Sequence, residues 1–274
     1  MCTVEKRGNV FILTLTGDDE HRLNPTLISA IRSAIADIKS QSSSAAAALV
    51  TTATGKFFSN GFDLHWAQSA GSSAFRDRLN HMVETFKPVV ADLLSLPMPT
   101  IAAVTGHAAA AGFTLALSHD YFLMRRDRGV IYMSELDIGM TFPEYFSVIF
   151  REKLGSPAAR REVMLSAAKL KADEAVRLGI VDSAHDTAEE VVAEAVRLAE
   201  KLAARKWNGE VYAEIRKGLY PELCKELGLS ARAVCCIHVA YCPTRNGTHV
   251  ISGNFCILSA VHPSEAYNIF SGNP

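Results

Sequence analysis

The sequence predicts an α/β fold: parallel strands alternating with helices, then a helical C-terminal part. Three observations carry that expectation. Apolar, β-branched runs recur along the first half of the chain, each followed by a segment of helical periodicity. After Pro143 the text turns to helix upon helix. Two of the strand-to-helix corners are built from small residues. A strand-then-helix repeat implies parallel pairing, because the helix returns the chain to the edge from which the next strand starts.

Val10-Phe11-Ile12-Leu13-Thr14-Leu15 is the first clear strand. Asn24-Pro25 opens a helix, with Leu27, Ile28, Ile31, Ile35 and Ile38 on one face. Ser40 to Ser44 reads as a polar loop, and Ala47 to Thr51 as a buried strand. Phe75 to Leu94 is amphipathic, with a kink expected at Pro88 and a stop at Pro97-Met98-Pro99. Thr100 to Val104 is again a buried strand, followed by a short helix to about His119. Tyr121 to Met124 and Val130 to Met133 supply two more strands. Helical periodicity then covers Tyr145 to Leu154, Ala158 to Ala167, Ala172 to Leu178 and Thr187 to Arg205.

The bulk properties exclude several partner classes. A chain of 274 residues with 49% hydrophobic and 21% charged residues can bury a sizeable core. Its formal net charge is −1, and no basic run interleaves with aromatics, so nucleic acid is not an expected partner. No apolar stretch is long enough to span a bilayer, and the N-terminus has no signal-peptide pattern. Cys2 is the sole cysteine before Cys224, which argues against a disulfide framework. Cys235, Cys236, His238, Cys242 and Cys256 lack the Cys-x-x-Cys spacing of a zinc site, so no metal is expected.

The chemistry concentrates at the two corners. Phe57-Phe58-Ser59-Asn60-Gly61-Phe62-Asp63-Leu64 and Gly106-His107-Ala108-Ala109-Ala110-Ala111-Gly112-Phe113 each join a buried strand to a helix start. Small residues let a ligand approach the backbone, and the free N–H groups of a helix start can bind an anionic oxygen. Facing one another, the corners would grip one oxyanion between two main-chain donors. Taken singly, each also fits an ordinary βα turn. Asp63 reads as a helix cap and His107 as a packing residue.

Phe58-Ser59-Asn60-Gly61-Phe62-Asp63-Leu64 resembles the F-S-x-G-x-D-L signature of the crotonase, or enoyl-CoA hydratase/isomerase, superfamily. Pro99 to Ala108, with Ala110-Ala111-Gly112 and His119-Asp120 behind it, resembles that family's second signature. The resemblance implies a core of ββα turns wound into a spiral, with C-terminal helices that assemble trimers. It implies an acyl-CoA substrate, with coenzyme A part of the substrate and no separate cofactor. It also implies an oxyanion hole donated by the N–H groups of Phe62 and Ala111, with Ser59, Asn60, Gly61, Phe62, Asp63, Leu64 and Gly112 lining the acyl-CoA site. On this reading residues 1–200 form the core, 201–229 the C-terminal helical region and 230–274 an atypical, poorly ordered tail.

Acid and base groups select the reaction. Hydratases of the family use two glutamates, and this chain has Thr114 at the first of their positions. Glu135 falls where hydratases and mitochondrial-type isomerases place a glutamate; by pattern alone it could instead be paired with Arg125 or Arg126. Glu144 falls where the peroxisomal-type isomerases place theirs, and the segment Met133 to Phe146 most resembles the plant forms. One carboxylate can take a proton from C2 and return it at C4, so Δ3,Δ2-enoyl-CoA isomerisation in β-oxidation of unsaturated fatty acids is expected, with Glu144 as base. A working Glu144 is expected in a dry pocket with its pKa raised, against the helix dipole. The alternatives are a hydratase or related enzyme acting through Glu135, and a non-catalytic acyl-CoA-binding protein. The resemblance implies a peroxisomal location. The ending Gly272-Asn273-Pro274, unlike a Ser-Lys-Leu signal, raises a cytosolic one.

Overall fold

Strand β1 (Cys2–Arg7) turns at Gly8 and runs back antiparallel as β2 (Val10–Leu15). Gly8 has φ +57, a left-handed conformation that glycine adopts without steric cost. Helix α1 (Pro25–Gln41) is started by Asn24, whose side chain accepts the Leu27 N–H at 3.0 Å, and by Pro25 in its first turn. Its buried stripe is Leu27, Ile28, Ile31, Ala34, Ile35 and Ile38. The structure, a computed structural model, describes residues 1–42 and 47–233.

Three ββα units follow in order. The first is β3 (Ala48–Ala53), β4 (Phe57–Ser59), α2 (Leu64–Gln68) and α3 (Ser72–Leu94). The second is β5 (Thr100–Val104), β6 (His107–Ala109) and α4 (Ala111–Leu117). The third is β7 (Tyr121–Arg125), β8 (Val130–Tyr132) and α5 (Glu144–Lys153). Beyond them lie α6 (Pro157–Met164), β9 (Leu170–Lys171), α7 (Ala172–Arg177), β10 (Ser183–His185), α8 (Ala188–Ala203), α9 (Gly209–Leu219) and α10 (Pro221–Glu226).

The first strand of each unit enters one sheet and the second strand another. The larger sheet has the order β1-β2-β3-β5-β7-β10, parallel from β2 onward. The smaller has the order β4-β6-β8-β9. Each unit thus advances one step along both sheets, which is the expected ββα spiral. Strand β3 is buried at every position because helices cover both faces, as parallel sheets require. On one face α8 lays Val191, Ala195, Ala199 and Ala203 against Val10, Ile12, Val50, Ile101 and Leu123. On the other, Phe86, Phe113, Phe146 and Phe150 from α3, α4 and α5 join the main core.

Some local expectations need correction. Ser40 and Gln41 belong to the last turn of α1, so the polar text there did not mark a loop; residues 43 and 44 lie outside the described residues. Helix α3 begins at Ser72, three residues early, and is one helix across Pro88. Residues Met1–Ala231 form one compact unit. From residue 234 onward the expected tail, with its cysteines, lies outside the described residues.

Candidate active site

Strand β4 runs parallel to β6 with Phe57 opposite His107 and Ser59 opposite Ala108, and this pairing brings the two corners side by side. A methyl group on Gly61 would lie 3.0 Å from the Ala109 carbonyl oxygen and 3.5 Å from the Ala111 nitrogen. One on Gly112 would overlap the Ser59 carbonyl. Glycine is needed at both points, at Gly61 also because φ is +74. The apposition that was only a hypothesis from sequence is therefore present in the fold.

Both proposed donors are turned away from the backbone ladder. Leu23 bridges to Phe62: the Leu23 N–H donates to the Gly61 carbonyl at 2.8 Å, and the Asp63 N–H donates to Leu23 at 3.3 Å. In a parallel bridge the central residue's own N–H points to the opposite side, so Phe62 N–H faces away from Leu23. Ala111 is the first residue of α4, where N–H groups have no intrahelical acceptor. Just before it, Ala110 holds φ 49 and ψ −120, a strained conformation for a residue with a side chain. Its N–H donates to the Tyr132 carbonyl at 2.9 Å, which ties the second corner to β8. The strain has no sequence signature, since Ala110 stands in a run of alanines.

The remaining predicted residues of the first corner are mostly structural. The buried Ser59 hydroxyl donates to the His21 carbonyl at 2.8 Å, and the Asn60 N–H to Glu20 at 2.8 Å. Asp63 caps α2 by accepting the Trp66 N–H at 2.9 Å, as its position suggested, and Leu64 begins that helix. The Phe62 ring stacks on Phe146 at 6.1 Å and meets Phe86 edge-on at 5.7 Å. His107 packs edge-on against Phe57 at 5.0 Å; burial, then Lys56 and Arg128, lower its pKa.

The three residues that would select the reaction differ sharply. Thr114 is fully buried, and its hydroxyl donates to the Ala110 carbonyl at 3.3 Å, so it serves the helix start. Glu135 lies three residues beyond Tyr132, the last residue of β8, and is 7% exposed. One of its oxygens, Oε2, is buried without a hydrogen-bond partner. Burial raises its pKa above the ordinary carboxylate range, against the lowering effect of backbone hydrogen bonds. Pairing with Arg125 or Arg126 is overturned: Arg125 pairs with Asp127, and Arg126 with Asp173 and Asp186. Glu144 heads α5, two residues before the Phe146 ring that stacks on Phe62. It is exposed, which corrects the expectation of a dry pocket around it. No group of three or more potential metal-binding side chains occurs among the described residues.

A spiral of ββα units with two glycine-dependent corners in contact defines a class, and the chain belongs to the enoyl-CoA hydratase/isomerase family, whose profile matches residues 5–225. Among curated relatives it is similar to enoyl-CoA delta isomerase 2, peroxisomal, of Arabidopsis thaliana, at 64% identity over 85% of this chain and 97% of that one. Enoyl-CoA delta isomerase 3 of the same plant is 62% identical over 84% and 97%, and isomerase 1, peroxisomal, 55% over 81% and 91%. Among solved structures, a probable enoyl-CoA hydratase of Mycobacterium tuberculosis superposes with a TM-score of 0.74 at 24% identity, covering 83% of this chain and 91% of that one. That likeness concerns the fold.

Proposed function

We propose that this protein is a Δ3,Δ2-enoyl-CoA isomerase that moves the double bond of a 3-enoyl-CoA to the trans-2 position. The observation that carries the reading is the contact of the two corners, which brings Gly61 against Ala111 and leaves the N–H groups of Phe62 and Ala111 outside the backbone ladder. A thioester oxygen held by both becomes the seat of negative charge when a proton leaves C2. Removing one such donor typically costs about 100- to 1000-fold in rate. The C2–H electrons delocalise into the thioester oxygen, and the dienolate takes the proton back at C4 as the double bond settles between C2 and C3. No water enters, in keeping with a threonine at position 114 whose hydroxyl is spent on Ala110.

Glu144 is the base that carries the proton. What supports this reading is that its side chain is exposed, and so open to a bound substrate, at the first turn of the helix whose Phe146 ring stacks on Phe62. A second reading gives this role to Glu135, favoured by its burial, its raised pKa and its unpartnered oxygen. Conversion of 3-enoyl-CoA and hydration of 2-enoyl-CoA by wild type, Glu144→Gln and Glu135→Gln distinguish the two. We expect Glu144→Gln to lower isomerisation by about 1000-fold or more, within the range of acid–base contributions. Full isomerase activity in Glu144→Gln would transfer the role to Glu135.

The peroxisomal relatives and the resemblance support the same compartment and a β-oxidation role for this chain, and trimeric assembly is proposed on the resemblance. Among the described residues no helix is long and apolar enough to cross a membrane.

A further inference from the structure

One segment pairs with the first corner along its whole length. The Phe57 N–H donates to Asp19 at 3.0 Å and the Asn60 N–H to Glu20 at 2.8 Å, while Leu23 brackets Phe62 from both sides. His21 lies at the centre of this segment and is 2% exposed. Its N–H donates to Asp18 Oδ1 at 2.8 Å, and its carbonyl accepts the Ser59 hydroxyl at 2.8 Å. Its ring Nδ1 lies 2.9 Å from the Phe57 carbonyl, which can only accept, so Nδ1 carries the proton. The other nitrogen, Nε2, is buried without a partner. The backbone at His21 has φ 44, in the left-handed region.

A residue that only filled this space could be apolar and would leave no orphaned nitrogen. A strained backbone and an unsatisfied nitrogen persist where the surroundings over-determine them, and both occur here beside the corner that donates to the oxyanion. We propose that His21 is a positioning residue of the oxyanion hole. Its ring fixes one end of β4 through Phe57, and its carbonyl fixes the other through Ser59. With both ends held, the chain from Ser59 through Gly61 carries the Phe62 N–H in one direction, across to Ala111. His21 touches no substrate and acts through β4.

The inference rests on the functional reading above, and a readout other than turnover keeps the two separable. Asparagine places an N–H donor where the histidine Nδ1 lies and tolerates positive φ. His21→Asn should therefore keep kcat within about threefold of wild type, whereas His21→Leu removes the donor and should lower kcat at least tenfold with KM within twofold. Raman spectra of bound trans-2-enoyl-CoA measure the downshift of the thioester carbonyl stretch, which reports polarisation by the hole. The downshift should shrink in His21→Leu and be retained in His21→Asn. If His21→Leu fails to fold, Ser59→Ala removes the second tie and should reduce the downshift in the same sense. A wild-type downshift and wild-type kcat in folded His21→Leu would overturn the proposal. So would an equal loss in both His21 variants. A wild-type protein that polarises the carbonyl but does not isomerise would instead overturn the function and leave His21 in its role.

Discussion

At position 135 a carboxylic acid is buried with one oxygen unpartnered, and its raised pKa expresses what that costs. Between the ordinary carboxylate pKa and the raised folded value, the native state holds a proton that the unfolded chain has lost. Stability contributed by this group therefore falls as pH rises through that window and is lower at neutral pH than in acid. Glu135→Gln removes the titration and should stabilise the protein by about 1 kcal/mol at neutral pH, with little gain in acid. Thermal melting of both forms across that pH range checks it; an equal effect at every pH would mean that Glu135 titrates normally. At Glu144 the sequence told only part of the story: Pro143-Glu144 was legible as a helix start, but exposure depends on what packs above the helix.

The elements that matter most are the shortest. Strands β4 and β6 have three residues each, too few to show a period, yet their pairing brings the corners together. Gly112 shows how tight that pairing is, because a side chain there would overlap the Ser59 carbonyl. Gly112→Ala must push α4 away from β4 and with it Ala111 from Phe62. We expect kcat/KM to fall by at least about 100-fold, the value of one oxyanion donor. The folded core should persist, which circular dichroism checks alongside the assay. A folded Gly112→Ala with wild-type turnover would mean that the corners do not cooperate. By contrast α1 and α8 were readable in advance, because Asn24-Pro25 and the helical periodicity from Thr187 to Arg205 are local signals; the structure adds a Thr187/Glu190 capping box at the start of α8.

For the whole molecule, Arg216 joins the C-terminal helices to the spiral. It is 4% exposed and donates to Asp120 through Nε at 2.6 Å and to the Leu96 carbonyl at 2.7 Å, past the end of α3. Burial pushes the Asp120 carboxyl up, and Arg216 more than offsets this, holding it below its ordinary pKa. Asp120 in turn accepts the Thr100 N–H at 2.9 Å, at the start of β5, so one ion pair links α9, α3 and the larger sheet. Arg216→Met would leave that carboxylate buried and unpaired, at a cost of about 3–5 kcal/mol. Denaturant unfolding of the variant measures this; a loss below about 1 kcal/mol would mean that water replaces the guanidinium.

The sequence by itself determined the order of the longer strands and helices, their parallel pairing and the two small-residue corners, because these depend on local periodicity and on residues too small to block a backbone. The resemblance of the two signatures added the family and the reaction class. Tertiary structure alone decided that Gly61 meets Ala111, that Ala110 is strained, that His21 clamps β4 and that Glu135 is buried while Glu144 is exposed. Each of those depends on residues far apart in the chain, and a local pattern carries no record of what the fold will pack against it.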